Sequence, residues 1–259
     1  MIRWLKRMVQ RTVVVALGIF SVWLIVFVVF DTADNRLPWI VAVAVTYGIA
    51  AYFILPWAVR MGLKVLQRKR VPRYTTTGDG LPGDPVNLVL IGTVAQLHAA
   101  FAKCEWTVAD KLNLASSLRM AQSFVFNQPY PTAPFSTLYL FGRGQDRGFQ
   151  KPIGDSPRKR HHVRFWALSL DHAGVALSSA DFWLNTDCPP LDVPVLWIGA
   201  ATKDTGFSLT RLTFQITHAT DADTNIERDY VLDELKRNAA IAGVTVYQAC
   251  ERLPATHVN

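Results

Sequence analysis

The run Arg158-Lys-Arg-His-His-Val-Arg-Phe-Trp166 places basic and imidazole groups two residues apart. On a β-strand, alternate side chains point to opposite faces. Arg160, His162, Arg164 and Trp166 then share one face, and His161, Val163 and Phe165 share the other. The adjacent histidines therefore diverge and do not ligate one metal. Guanidinium groups beside His162 repel a metal cation and suit an anion, because arginine grips phosphate or carboxylate through paired hydrogen bonds. The plain alternative is a solvated basic edge with a core histidine behind it. Arg143, in Gly142-Arg-Gly-Gln-Asp-Arg-Gly148, and Arg228 join Arg160 and Arg164 as candidate anion-binding residues.

A second group of residues is Thr217-His-Ala-Thr-Asp-Ala-Asp223, leading into a helix. Helix N-termini attract anions, and His218 stands just before this one. Asp204 is a candidate carboxylate partner, so His162, His218 and Asp204 form the candidate catalytic set. A histidine there serves as general acid or base if its pKa lies near neutrality. A His with carboxylates also suits a divalent metal, whereas Asp221 and Asp223 are equally explained as helix-start residues. No metal ligand set and no cofactor is assigned.

Other motifs fail on spacing. No phosphate-binding loop of the Gly-x-x-x-x-Gly-Lys-Ser/Thr type and no Gly-x-Ser-x-Gly elbow occurs. In Gly142–Gly148 the third glycine is one residue late for a dinucleotide fingerprint, and a hairpin turn is the better account. Asp221-Ala-Asp223-Thr-Asn225 starts like a calcium loop, but Ile226 and Leu232 stand where Gly and Glu are needed. Pro131-Thr-Ala-Pro134 reads as a structural turn.

The elements that must position these residues have mixed periodicity. Val86–Ile91, Thr137–Gly142, Val163–Leu170, Pro194–Ala201 and Phe207–Ile216 read as strands, with Val244–Cys250 as a candidate last one. Val94–Lys103, Leu112–Phe126 and Asn225–Ala242 read as helices, the last with a Thr224/Glu227 capping box and Gly243 at its end. Without regular βα alternation, the expectation is an α+β domain with a mixed or antiparallel sheet and several helices.

Ahead of that domain, Thr12–Phe30 and Pro38–Val59 contain no charged residue, and each is long enough to cross a hydrocarbon core of ~30 Å. The expected organisation is a two-helix transmembrane hairpin over 1–66 (spans 12–30 and 38–59), a Gly/Pro/Thr-rich linker over 67–85 and a soluble domain over 86–259. A cleaved signal peptide fits less well, since a second span follows at once and no small-residue cleavage pattern precedes Asp31. Arg3, Lys6, Arg7 and Arg11 precede the first span; Arg60, Lys64, Arg68, Lys69, Arg70 and Arg73 follow the second. That bias places both termini and the soluble domain on the cytoplasmic side of the membrane.

Residues 1–70 carry ten Lys or Arg against two Asp, so the formal charge of +7 sits at the membrane flanks. The remainder is close to neutral, which argues against a nucleic-acid-binding stripe and makes membrane lipids the expected partners. No ionisable residue lies within either span, which disfavours a channel. Ala44 and Gly48, four apart, suit close helix packing, against the hairpin itself or another membrane protein. Cys104, Cys188 and Cys250 lack metal or disulfide spacing and fit a reducing compartment.

Gly83-Asp-Pro-Val-Asn-Leu-Val-Leu-Ile-Gly92, Tyr130-Pro-Thr-Ala-Pro134, Leu138-Tyr-Leu-Phe-Gly142, Arg160-His-His-Val-Arg-Phe-Trp166 and Glu227-Arg-Asp-Tyr230 together resemble the LssY C-terminal domain family of bacteria. Related domains are fused behind membrane modules resembling DedA proteins and type 2 phosphatidic acid phosphatases. The resemblance implies a membrane context but supplies no catalytic residues, and this chain has the two-span anchor in place of the phosphatase module. Around His218, where relatives are expected to read His-His, it reads His-Ala. Two functions are compatible with this: an accessory domain binding anionic or phosphorylated headgroups, and a tethered hydrolase of a lipid phosphate.

Overall fold

The computed structural model describes residues 2–66, 71–126, 128–154, 159–168, 192–209, 213–214 and 216–244. Trp4–Asp34 (α1) and Trp39–Leu66 (α2) are helices long and apolar enough to cross a membrane. Each continues past its uncharged core into basic flanking sequence, because Lys and Arg are good helix formers. Asn35 Nδ2 donates to Asp31 O at 2.8 Å and closes α1, and Pro38, with ψ of 140°, turns the chain into α2. The helices run antiparallel: Gln10 Nε2 donates to Val65 O at 2.8 Å, and Gly62 faces Val14. Gly48 instead has open space beside it and takes no part in this packing.

Two antiparallel sheets follow. The smaller holds β1 (Tyr74–Thr76), β2 (Pro82–Pro85), β5 (Tyr139–Leu140) and β6 (Arg143–Gly144) in the order β2-β1-β5-β6. The larger holds β3 (Leu88–Gly92), β4 (Thr107–Val108), β7 (Arg147–Pro152), β8 (Arg160–Leu168), β9 (Val195–Leu209) and β10 (Ile216–Thr220). Its order is β10-β9-β8-β7-β4, with β3 also paired to β9. Three helices complete the domain: α3 (Val94–Lys103), α4 (Leu114–Val125) and α5 (Thr224–Arg237). The expected α+β arrangement behind two apolar helices is what the chain forms.

One face of the large sheet buries the aromatic core. Val163 and Phe165 of β8, Phe149 of β7 and Trp197 of β9 pack there with Leu97 and Phe101 of α3 and Val231 and Leu235 of α5. Phe101 stacks on Phe149 with ring centroids 4.3 Å apart. Thr93 and Gln96 start α3 with a reciprocal capping box, as do Asn113 and Ser116 for α4. On the opposite face, Trp166, Leu196, Ile198 and Ala200 meet Leu138 and Leu140 from the small-sheet side.

The small sheet in turn rests on the end of α2. A Cβ on Gly80 would lie 3.5 Å from Val59, and Tyr139 lies close enough to Arg60 for that charge to offset part of the upward pull of burial on its phenol. The β5–β6 turn, Phe141-Gly142, has φ of 55° and 77°, the positive pair that a two-residue hairpin requires. It sits against Lys64, which is almost wholly buried.

Several elements differ from the sequence expectation. Residues 74–85, expected as linker, contribute β1 and β2, because Thr75 and Thr77 hydrogen-bond across the hairpin and give a polar segment ordered partners. The expected strand Phe207–Ile216 is divided between two antiparallel strands, since β9 ends at Leu209 and β10 begins at Ile216. The N-cap of α5 is Asp223, which accepts from Asn225 N at 3.0 Å, while Glu227 turns inward to His161. That helix ends at Arg237, with Ala239 at φ 47° rather than Gly243 in the left-handed position. The candidate strand Val244–Cys250 lies, past Val244, outside the described residues, as do Cys188 and Cys250.

Gly142 tests the contact between α2 and the domain. A Cβ there would overlap Lys64 Cγ and come within 2.9 Å of Lys64 N, at a φ that disfavours any L-side chain. Gly142→Ala is expected to cost about 1–3 kcal/mol, read as a lowered thermal midpoint and faster proteolysis between the helices and the domain. Gly206→Ala, where a Cβ meets nothing, should leave both unchanged.

Candidate functional site

β8 is covered on both edges by β7 and β9, so its side chains have only the two sheet faces to enter. Arg160, His162 and Arg164 all point to the face under the small sheet, and all three are at least 95 % buried. The register supplies their neighbours. Gln150 and Thr202 flank His162, Asp204 stands beside Arg160, and the small residues Gly148 and Ala200 flank Arg164. A solvated basic edge is therefore ruled out for these residues.

Each arginine is matched by a carboxylate. Arg160 Nε donates to Asp204 Oδ2 at 2.8 Å, and its Nη1 donates to Gln150 Oε1 at 2.6 Å and Ala133 O at 3.2 Å. Arg164 Nη1 donates to Asp84 Oδ2, which comes from β2 in the other sheet. His162 lies between the pairs. Its Nδ1 is 3.1 Å from Asp204 Oδ1, an ion-pair separation without hydrogen-bond alignment. Its Nε2 is 2.6 Å from both Thr202 Oγ1 and Arg164 Nη1, and 3.7 Å from Asp84 Oδ2.

Phe135 roofs the cluster. Its ring stands 4.9 Å from the Arg160 guanidinium carbon, 4.8 Å from that of Arg164 and 5.1 Å from the His162 ring. The quadrupole of an aromatic face attracts such cations. It fits because Gly148 lies beneath: a Cβ there would come within 2.8 Å of Phe135 Cδ2. Among the described residues, Arg160 Nη2 and Arg164 Nε are buried without a hydrogen-bond partner.

Burial favours protonation of Asp84, but Arg164 and His162 outweigh it and hold its carboxyl below the ordinary value. Burial also pulls the Arg160 guanidinium below its usual value, against the opposing pull of Asp204. The cluster thus keeps two positive and two negative groups in register around one imidazole.

The other expected residues lie elsewhere. Arg143 pairs with Asp146 at 2.5 Å in the loop after β6. Arg228 is on the outer side of α5 with Asp229 and Asn225. His218 pairs with Phe207 on the β9–β10 ladder, three residues beyond Asp204; its side chain is not among those described. Of the candidate catalytic set, the structure brings His162 and Asp204 together. Asp84, Gln150, Thr202 and Phe135 were not expected at all. The available signal was a rule of pairing: two buried guanidiniums require two carboxylates nearby. That rule does not say which carboxylates.

A second polar group occupies the opposite face. His161 Nδ1 lies 2.9 Å and 3.0 Å from the two carboxylate oxygens of buried Glu227, and its ring stacks on Tyr230 at 4.2 Å. Lys203, Asp221 and Asp223 line a small cleft beside them. Burial and then Glu234 push the Tyr230 phenol up to about 12. Among the described residues, no group of three or more His, Cys, Asp or Glu is placed to hold a metal ion.

Residues 68–256 match the family described as LssY C-terminus. No curated protein and no solved structure matches the chain.

The Asp84–Arg164 pair yields a signed prediction. Removing one partner of a buried pair costs about 3–5 kcal/mol, so Arg164→Met should lose that much in denaturant unfolding at neutral pH. Asp84→Leu in the same chain should restore most of it. A depressed carboxyl pKa stabilises the fold above the ordinary carboxylate value and loses that effect as pH falls through the folded value. The gap between Arg164→Met and wild type should therefore shrink on acidification below the ordinary Asp range.

Proposed function

The chain belongs to the LssY C-terminus family, and from that premise we propose a membrane-anchored binding module that takes a phosphorylated lipid headgroup at the cytoplasmic face of the bacterial inner membrane. One observation carries this reading. Arg160, His162 and Arg164 lie on the face of the large sheet beneath the small sheet, and the small sheet rests on the end of α2. The polar centre is thus on the anchor's side of the domain. The two guanidinium nitrogens without partners among the described residues suit phosphate oxygens, which accept such hydrogen bonds strongly. Phe135 is the side chain a ligand would displace, at the expense of cation–π contacts worth about 0.5–2 kcal/mol each.

Full-length protein in phosphatidylcholine nanodiscs tests this with short-chain phosphatidic acid, short-chain phosphatidylcholine and inorganic phosphate as ligands. Saturable thermal stabilisation by phosphatidic acid, at least tenfold weaker in Arg164→Lys, is the expected result. Lysine keeps a charge for Asp84 but loses the planar fork. Equal response to phosphatidylcholine would remove the headgroup reading. Stabilisation by inorganic phosphate alone would retain the anion site but not the lipid.

A second reading, hydrolysis of a lipid phosphate, is favoured by the Thr202–His162–Asp204 sequence of hydroxyl, imidazole and carboxylate. His162 Nε2 faces both the Thr202 hydroxyl and the Arg164 guanidinium at 2.6 Å, with Asp204 Oδ1 3.1 Å from Nδ1; a phosphate that drew Arg164 away would leave the imidazole lone pair to the hydroxyl proton, as an activated nucleophile needs. Phosphate release from phosphatidic acid, measured with and without divalent metal, should then fall at least a hundredfold in His162→Gln and in Thr202→Val. Release no greater than in those variants leaves the binding reading alone.

The orientation follows from the basic flanks of both helices. A reporter active only in the cytoplasm, fused after Asn259, is expected to be active, and one active only in the periplasm silent. The reverse pattern would place the domain outside.

A further inference from the structure

α4 is turned inside out for a helix in water. Leu114, Leu118, Ala121 and Val125 recur at i, i+4, i+7 and i+11, the spacing of a single helical stripe. Such a stripe ordinarily faces a core. Here Leu114 is 78 %, Leu118 62 % and Val125 71 % exposed, and Leu112 and Phe126 continue the exposed apolar surface at either end. The side turned toward the protein instead carries Ser116 and Ser123, both buried, whose hydroxyls donate to Lys111 O and Gln128 O. An exposed patch of large apolar side chains marks a contact surface.

The contacts of α4 place it on the anchor's side of the domain. Ala109 Cβ lies 3.6 Å from the position a Cβ on Gly148 would take, on the face that Phe135 covers. Asp110 N donates to Thr132 O, and the hydroxyls of Tyr130 and Thr132 donate to Asp110 Oδ2 at 2.6 Å and 3.1 Å. The Arg119 guanidinium of α4 stands 5.5 Å from the centre of the Tyr130 ring. Residues 130–135 continue across the same face, where Ala133 O accepts from Arg160 and Gln150, and lead into β5. α4 therefore flanks the small-sheet side of the large sheet, the side on which the domain meets α2.

Charge and area indicate what covers the stripe. From Lys111 to Gln145 the chain has no Asp or Glu, and Lys111 and Arg119 are exposed beside the apolar residues. A helix of 12 residues is ~18 Å long and ~10 Å wide. One face of it falls well short of the ~800 Å² that each partner of a stable protein complex buries. A bilayer needs no matching surface, and two membrane-length helices belong to the same chain.

We propose that α4 lies in the plane of the membrane surface, with Leu114, Leu118 and Val125 in the boundary between headgroups and acyl chains and Lys111 and Arg119 among anionic headgroups. Amphipathic helices with basic flanks bind this way, their apolar face sunk ~5–10 Å into that boundary. The contact rests on the membrane reading of the two apolar helices and is separate from the polar centre beneath the small sheet. Together with α2 it would hold the Phe135 side of the domain against the headgroup layer.

The test uses full-length protein in phosphatidylcholine–phosphatidylglycerol liposomes, with p-benzoylphenylalanine introduced at Leu118, Phe53 or Ile226. Phe53 of α2 is 71 % exposed, and Ile226 is 66 % exposed on α5, which packs on the opposite face of the large sheet. After irradiation, intact-mass measurement should find one phospholipid adduct at positions 118 and 53 and none at 226. Adducts at 53 but not at 118 would overturn the surface helix and leave the anchor standing. Adducts at neither would overturn both. Protein–protein adducts from 118, or equal lipid labelling at 226, would also overturn the surface helix.

Discussion

Two arginines and Asp204 are buried between the sheets with Asp84 at their margin, and the arrangement depends on their staying balanced. Leaving one such charge without its partner costs several kcal/mol, a large share of a typical domain's net stability. Arg160 with Asp204 ties β8 to β9, while Arg164 with Asp84 ties the large sheet to the small one. The first pair lies within a ladder that backbone hydrogen bonds already hold. The second spans eighty residues of chain and is a polar link between the two sheets. Apolar packing of Leu138 and Leu140 on Ile198 and Ala200 pulls the sheets together without direction, and the ion pair gives that contact its register.

The same layer joins the domain to its helices. Small-sheet turns at Gly80 and Gly142 meet α2 at Val59 and Lys64, so α2 is packed against the domain. Glycine at position 142 permits both the positive φ and the close approach. The charge-balanced centre, the small sheet and the helix end form consecutive layers. Between the helix end and the arginines lie the small sheet and Phe135. This layering gives His162 a site from which bulk water is excluded.

Much of the framework was legible in the residues. Long uncharged runs are continuous enough to form unbroken helices, so α1 and α2 could be recognised from composition alone. Alternation along Arg160–Trp166 sorted the two histidines onto opposite faces, and α3 was read to its observed limits because Thr93 and Lys103 bracket a helical repeat. The reading failed where local pattern and tertiary contact compete. Residues 74–85 are rich in turn formers and looked like linker, yet cross-strand partners make them a hairpin. Phe207–Ile216 has strand composition throughout, and the reversal within it carries no strong turn signal. Glu227 suits a capping box equally well, but the half-buried His161 drew it inward.

Composition and periodicity alone determined that this chain has two membrane-length helices, an α+β domain and a basic strand with Arg160, His162 and Arg164 on one face. Those are properties of neighbours in sequence, set by side-chain alternation and by the free energy of moving apolar groups out of water. Only the tertiary structure decided that the basic face is buried and neutralised. It did so by bringing Asp84, Thr202, Asp204 and Phe135 together from separate segments. Electrostatic balance acts through space, and nothing in the spacing of one strand says which distant carboxylate will answer it.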